Sequence, residues 1–220
     1  YRRQRQMCIR DRLKNSKVRR ALAFSAGQED APRLLKGGEV EARSWVYPQL
    51  LPERHRARPS LHRLRLAQEL MDQAGFKDRT TFPRLKLQYN SGERHQLLME
   101  RLAYKWKADL GIQVDLQPIE WKVHAAQLKV AAPDLFRYAW TAVYPDPIFF
   151  LEIFESDSLN NFGAWKNSEY DSIVEKLRRI PLAQRDEKFY KLVHRAEEIL
   201  VEEDPACLLY TSPSPRDATL

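Results

Sequence analysis

Asp146 stands between two prolines in the stretch AWTAVYPDPIFFLEIF, residues 139–154. An acid so placed can serve as a catalytic acid, a ligand anchor or a helix cap. Catalysis requires a second titratable group within hydrogen-bond reach. Glu152 and Glu155 follow on the next helical run, at spacings that do not force them to converge on Asp146. Proline is favoured at the first turn of a helix, and aspartate just before it accepts backbone N–H bonds at the positive end of the dipole. The pattern therefore predicts a cap.

The other reactive side chains do not assemble into a catalytic or metal motif. His55, His62, His95, His124 and His194 include no pair four residues apart, and none has a carboxylate at metal-site spacing. They read as scattered surface histidines. No glycine-rich phosphate loop or serine nucleophile motif is present. No metal or cofactor site is expected, and no enzymatic activity. What remains is aromatic. Trp121, Tyr138, Trp140, Tyr144, Phe149, Phe150 and Phe154 crowd one region. Core packing accounts for most of them. Trp140 and Tyr144, however, flank the end of a predicted strand, and in open α/β layers ligands gather at the carboxyl ends of strands.

The positioning elements follow from periodicity. Residues 16–26 suit a helix with Val18, Ala21, Leu22 and Ser25 on one face. Residues 27–63 are basic, proline-punctuated and aperiodic, and read as a solvated loop. The run LRLAQELMDQAGF predicts a helix with Leu66, Leu70 and Ala74 aligned, stopped by Gly75. RLKLQYN alternates Leu85, Leu87 and Tyr89 as a half-buried strand does. A helix follows with Leu98, Leu102 and Trp106 in line and Gly111 as its stop. IQVDLQPI is a second strand, EWKVHAAQLKVA a helix, LFRYAW a third strand and PIFFLEIF a short helix. A helix starting at a Ser168 cap, with Asp171 three residues on, is broken by Pro181. Residues 183–203 form the last helix. Strand, helix, strand, helix, strand predicts an α/β layer with at least partly parallel strands.

The two ends are set apart by the genetic code. MCIRD can be written ATG TGT ATA AGA GAC, and the reverse complement, read in another frame, encodes LLYT, which occurs within CLLYT near the other end. Residues 1–12 and 207–220 are therefore expected to be adapter-derived tails, encoded by the transposase end used in library construction, that pack against nothing. Residues 13–206 are read as one α/β domain. The first tail holds five arginines against one aspartate, and the second is neutral, so the formal charge of +7 shrinks to about +3 between them. That removes most support for a nucleic-acid partner. Both cysteines, Cys8 and Cys207, lie in the tails, leaving no thiol chemistry to the interior.

The segments VRRALAFS, AQELMDQAGF, LQYNSGERHQLLMERLAYKWKADLGIQVDLQPIEW, YPDPIFFLEIF, SDSLNNFGAWKNSEYDSIV and RAEEILVEEDPA resemble extracytoplasmic solute-binding proteins of peptide ABC transporters, the oligopeptide- and dipeptide-binding type. From about Leu64 to Ala206 the match is nearly continuous and in order. The resemblance implies most of the second lobe of a two-lobed type II periplasmic-binding-protein fold, truncated, which closes on its ligand like a hinged clamp. It implies a peptide or similar elongated solute as ligand and ABC permease subunits of the inner membrane as partners. It further implies a monomer, lying in the periplasm or lipid-anchored outside the cytoplasmic membrane. By position, Trp121 and Trp140 match cleft tryptophans, and Arg137 matches an arginine that can reach a ligand carboxylate. Tyr144 belongs to the YPDP motif. The pattern departs at Val143, where peptide binders commonly carry an aspartate that pairs with the ligand's α-amine. This departure leaves room for a relative that takes an N-blocked peptide or an oligosaccharide. An α/β hydrolase is the remaining rival.

Overall fold

The computed structural model describes residues 13–42, 44–52, 63–141 and 143–211. Where the sequence suggests one domain over 13–206, the chain groups into two compact units, each around its own apolar cluster.

Unit 1 comprises residues 1–42, 60–138 and 206–220. Its helices are α1 (Ser16–Phe24), α2 (Asp30–Leu35), α3 (Leu64–Gln73), α4 (Glu93–Leu110) and α5 (Trp121–Ala131). Its strands are β1 (Val40–Glu41), β2 (Leu85–Asn90), β3 (Val114–Ile119), β4 (Leu135–Phe136) and β5 (Tyr210–Thr211). The main sheet runs β3-β2-β4 with both pairings parallel, Leu85 facing Val114 and Leu87 facing Leu135. The alternation read from the sequence is what buries Leu85, Leu87 and Tyr89 on one face, and Gln88, on the opposite face of the strand, is buried too. Helix α4 lays Leu98, Leu102 and Trp106 on the cluster, and the Trp106 indole N–H donates to the Leu22 carbonyl at 2.9 Å. Helix α3 ends as its glycine predicts. Gly75 takes φ +90°, and the Gly75 and Phe76 amides donate to the Asp72 and Met71 carbonyls, closing the last turn.

Two expectations change in unit 1. The stretch 27–63 contains a helix, α2, which inserts buried Ala31 into the core; its residues 53–62 lie outside the described ones. Of the second tail, residues 207–211 do pack, and the rest lie outside the described residues. Cys207, Leu209 and Tyr210 lie against the core, β5 pairs antiparallel with β1, and the Gln28 amide donates to the Leu208 carbonyl at 2.7 Å. Leu209 and Tyr210 are residue types that suit a half-buried strand, whatever DNA encodes them. The first tail lies outside the described residues. Ending the chain at Ala206 is therefore expected to lower unfolding stability by about 1–3 kcal/mol, the scale for exposing one or two large apolar side chains. Urea titration of the two chains measures this, and coincident curves would show that residues 207–211 contribute nothing.

Unit 2 comprises residues 43–59 and 139–205. Helix α6 (Pro147–Leu151) runs into a 3-10 turn, Glu152–Phe154. Helices α7 (Ser168–Arg178) and α8 (Glu187–Glu203) pack through Tyr170, Ile173, Val174, Leu177, Phe189, Val193, Ala196 and Leu200. Tyr170 is enclosed, its hydroxyl donates to the Leu151 carbonyl at 2.7 Å, and burial pushes its phenol well above the usual range. Buried Glu197 of α8 accepts from the Ser44 hydroxyl at 2.6 Å and the Val46 amide at 2.9 Å, fastening residues 44–46. The α7 cap is Asn167 rather than Ser168. Asn167 has the extended backbone a cap needs and accepts from the Tyr170 amide, whereas Asp171 accepts from Ser156 N–H at 2.9 Å.

Candidate ligand-binding site

The parallel strands of unit 1 end together. Asn90 closes β2, Trp121 opens α5 two residues after β3, and Arg137 follows β4 directly. This carboxyl edge is where an α/β layer leaves loops and helix starts to meet a ligand.

Arg137 is fastened at four points. Its amide donates to the Gln88 carbonyl at 2.8 Å and its carbonyl accepts from His124 Nε2 at 2.9 Å. Its guanidinium donates to Asn90 Oδ1 at 2.7 Å and to the Tyr210 hydroxyl at 3.1 Å. Both guanidinium partners are neutral. Among the described residues no carboxylate pairs with Arg137, although the side chain is half-buried. A partly desolvated arginine whose charge is not cancelled, with a fork of further N–H groups, suits an anion and above all a carboxylate. Trp121 presents an indole 49% exposed, its ring 5.9 Å from that of His124.

His95 joins this edge. Because Asn90 Oδ1 accepts from Arg137, its amide nitrogen faces His95 Nδ1 at 2.8 Å, and the Asn90 backbone carbonyl lies 3.1 Å from the same ring nitrogen. Burial lowers the affinity of His95 for a proton, and the positive charges of Arg137 and Arg94 lower it further, against a rise from the Asn90 carbonyl. The sign follows. A histidine whose folded-state pKa lies below its usual 6.5 stabilises the fold above that value, and the contribution is lost as pH falls through the folded pKa. Between about pH 7.5 and 5.5 the urea midpoint is expected to drop, and His95→Gln to make the drop smaller. An equal drop in both proteins would remove His95 as its source.

In unit 2 the loop before α6 carries the other predicted residues. Asp146 is the α6 cap, accepting from the Ile148 amide at 2.9 Å, as its proline neighbour predicts. Its second oxygen pairs with Arg185 at 2.9 Å, a partner that sequence spacing does not reveal. Both oxygens of Asp146 are thus engaged. The Trp140 indole N–H donates to the Phe149 carbonyl at 2.9 Å, its ring stacks on that of Phe149 at 5.2 Å, and Tyr144 meets Phe149 edge-on at 5.0 Å. Trp140, Phe149 and Tyr144 form one aromatic ledge. Val143, the residue before Tyr144, is 82% exposed and its side chain has no polar atom to offer.

Of the sequence-predicted residues, Trp121 and Arg137 fall on unit 1 and Trp140, Val143 and Tyr144 on unit 2. The sequence reading missed Asn90 and His95, whose only signal was their position at a strand end. It also placed His124 on the surface, whereas His124 is fully buried and bonded at both nitrogens. A polar ring on the inner face of an amphipathic helix has to find partners, and the apolar spacing around it alone could have flagged that. Among the described residues no cluster of histidine, cysteine or acids could hold a metal.

Residues 4–162 match the family model for bacterial extracellular solute-binding proteins, family 5. The chain is 33% identical over 156 residues to the probable deoxycholate-binding periplasmic protein YgiS of Escherichia coli, covering 71% of this chain and 28% of that one. It is 28% identical over 208 residues to the dipeptide-binding protein DppE of Bacillus subtilis, covering 90% and 37% respectively. The crystal structure of a periplasmic oligopeptide-binding protein from Borrelia burgdorferi superposes with a TM-score of 0.79 at 27% identity, over 89% of this chain and 39% of the other. The chain therefore spans well under half the length of these relatives, and its fold is that of part of a type II periplasmic binding protein.

Proposed function

This chain belongs to the bacterial extracellular solute-binding proteins of family 5, and from that premise we propose that it is part of the substrate-binding subunit of an ABC importer and not an enzyme. The subunit captures peptides or similarly elongated solutes in an inter-lobe cleft and delivers them to permease subunits of the inner membrane. It works as a monomer, binds no nucleic acid, and resides in the periplasm or lipid-anchored outside the cytoplasmic membrane. No helix among the described residues is long and apolar enough to cross a membrane. Both end stretches are adapter-encoded in this reading, which recovery of the uninterrupted reading frame from the same DNA would test.

The observation that carries the proposal is Arg137, held at the carboxyl edge of the sheet by neutral Asn90 and Tyr210, with no carboxylate partner among the described residues. Its guanidinium is offered to a ligand carboxylate, Trp121 supplies an apolar wall in unit 1, and Trp140 and Tyr144 supply one in unit 2. Extended peptides are held largely through their backbones, which makes selectivity among sequences loose. Calorimetry with a mixed tri- to pentapeptide pool is expected to give saturable binding to the full-length parent and none to this chain at micromolar concentration. Tight stoichiometric binding by the chain alone would place the whole site in these residues. A parent that ignores every peptide would remove peptides as the ligand.

A second reading is favoured by Val143. The side chain that would meet a ligand amine is an exposed hydrocarbon, and the relative YgiS carries a name that refers to deoxycholate, an elongated carboxylate with no amine. A ligand of that chemistry keeps the Arg137 contact and needs nothing from position 143. The same calorimetry with deoxycholate, an N-acetylated peptide and an oligosaccharide separates these choices.

A further inference from the structure

We infer that His124 is a positioning residue for Arg137, and that its proton on Nε2 is what sets the arginine's backbone in place; this rests on the reading that Arg137 meets the ligand. His124 sits on the inner face of α5 and has no exposed surface. Its Nε2 lies 2.9 Å from the Arg137 carbonyl, which can only accept, so Nε2 donates. Its Nδ1 lies 2.9 Å from the side-chain amide nitrogen of Gln88, which can only donate, so Nδ1 accepts. One neutral tautomer meets both demands. Gln88 in turn accepts the Arg137 amide through its own backbone carbonyl at 2.8 Å.

The result is a closed ring of three bonds running from the Gln88 side chain to His124, on to the Arg137 carbonyl, and back from the Arg137 amide to the Gln88 backbone. Strand β4 is only two residues long and its ladder stops at Phe136. Without the ring the chain at 137 has one backbone bond to the sheet and is free to swing. With it, the direction in which the guanidinium leaves the sheet is fixed, and Asn90 and Tyr210 complete the aim. Trp121 lies against the same imidazole, so one buried ring orients both the cation and the exposed indole of unit 1. Preorganisation of this kind raises affinity by removing the cost of ordering the contact on binding.

The first test needs no variant. Nitrogen-15 NMR of the imidazoles in the 220-residue chain is expected to show His124 as the neutral ring protonated on Nε2. A ring protonated on Nδ1, or on both nitrogens, overturns the inference. The second test uses the full-length parent. Glutamine places an amide N–H close to where Nε2 stands, whereas asparagine places only an acceptor near Nδ1. Affinity is compared for a tripeptide with a free carboxylate and for its C-terminal amide. His124→Asn is expected to reduce the acid-to-amide preference about tenfold and His124→Gln to restore most of it. Equal preferences in the two variants, reduced or not, would show that His124 only fills space. A wild-type parent with no acid-to-amide preference would instead overturn the carboxylate reading of Arg137, while the tautomer still decides the present inference.

Discussion

Replacing Arg137 with methionine in the full-length parent is expected to lower affinity for a ligand with a free carboxylate by about ten- to a hundredfold, with little effect on the amidated twin. Hydrogen bonds to charged groups contribute roughly 1.5–3 kcal/mol, which converts to that range. Methionine keeps most of the aliphatic stem and removes the charge and the fork. The substitution also breaks the bonds to Asn90 and Tyr210, and any loosening that follows weakens both ligands alike. The ratio between acid and amide therefore isolates the ion pair. Arg137→Lys is the informative companion. It keeps the charge but not the planar pair of donors, and an intermediate ratio is expected. Calorimetry on the three proteins with the two ligands gives the ratios. Should the ratio stay constant across the series, the carboxylate is held elsewhere.

That experiment turns on a residue whose role the sequence could suggest but whose setting it could not. Periodicity was enough for β2, α4 and the glycine stops at Gly75 and Gly111, because burial of Leu85, Leu87, Leu98 and Leu102 obeys the strand and helix periods locally. It was enough for the Asp146 cap for the same reason, since a cap is decided within three residues. It failed where the deciding partner is remote. The pairs Arg185 with Asp146, His124 with Arg137 and Ser44 with Glu197 join residues from 13 to 153 positions apart. No spacing rule reaches them. The division into two units was hidden likewise, because an apolar helical face announces that it is buried and not against which cluster. The short helix α2 was lost for another reason, since six residues containing a proline give too few turns for a period to show.

The site is legible in the same graded way. Trp121, Trp140 and Tyr144 are conspicuous as residue types, and the structure shows what each contacts. Trp140 spends its N–H on the Phe149 carbonyl and stacks on the Phe149 ring, whereas Trp121 stands half exposed. Asn90 and His95 carry no signal as types. They matter because β2 ends at Asn90 and α4 begins three residues later, which brings an amide and a ring to the arginine of a strand that pairs with β2.

We propose that position 143 bears on ligand class. Val143→Asp in the full-length parent is expected to shift preference toward peptides with a free α-amine by about ten- to a hundredfold, again the scale of a charge-assisted bond of roughly 1.5–3 kcal/mol. Valine offers an ammonium no acceptor, so a free amine brought against it loses water and gains nothing. The wild-type parent is accordingly expected to bind an N-acetylated peptide at least as tightly as the free one. Asp146, three residues on, does not substitute, because its two oxygens are committed to the Ile148 amide and to Arg185. Withdrawing one would uncap α6 and leave Arg185, itself largely buried, without its carboxylate. The new aspartate, at an exposed position, would have no such duty. Calorimetry of the free and acetylated peptide on both proteins gives the double difference. If the wild-type parent already prefers the free peptide strongly, another group holds the amine and the argument from valine fails. If neither peptide binds either protein while deoxycholate does, the ligand is an amine-free carboxylate, to which a hydrocarbon at 143 offers no charged partner.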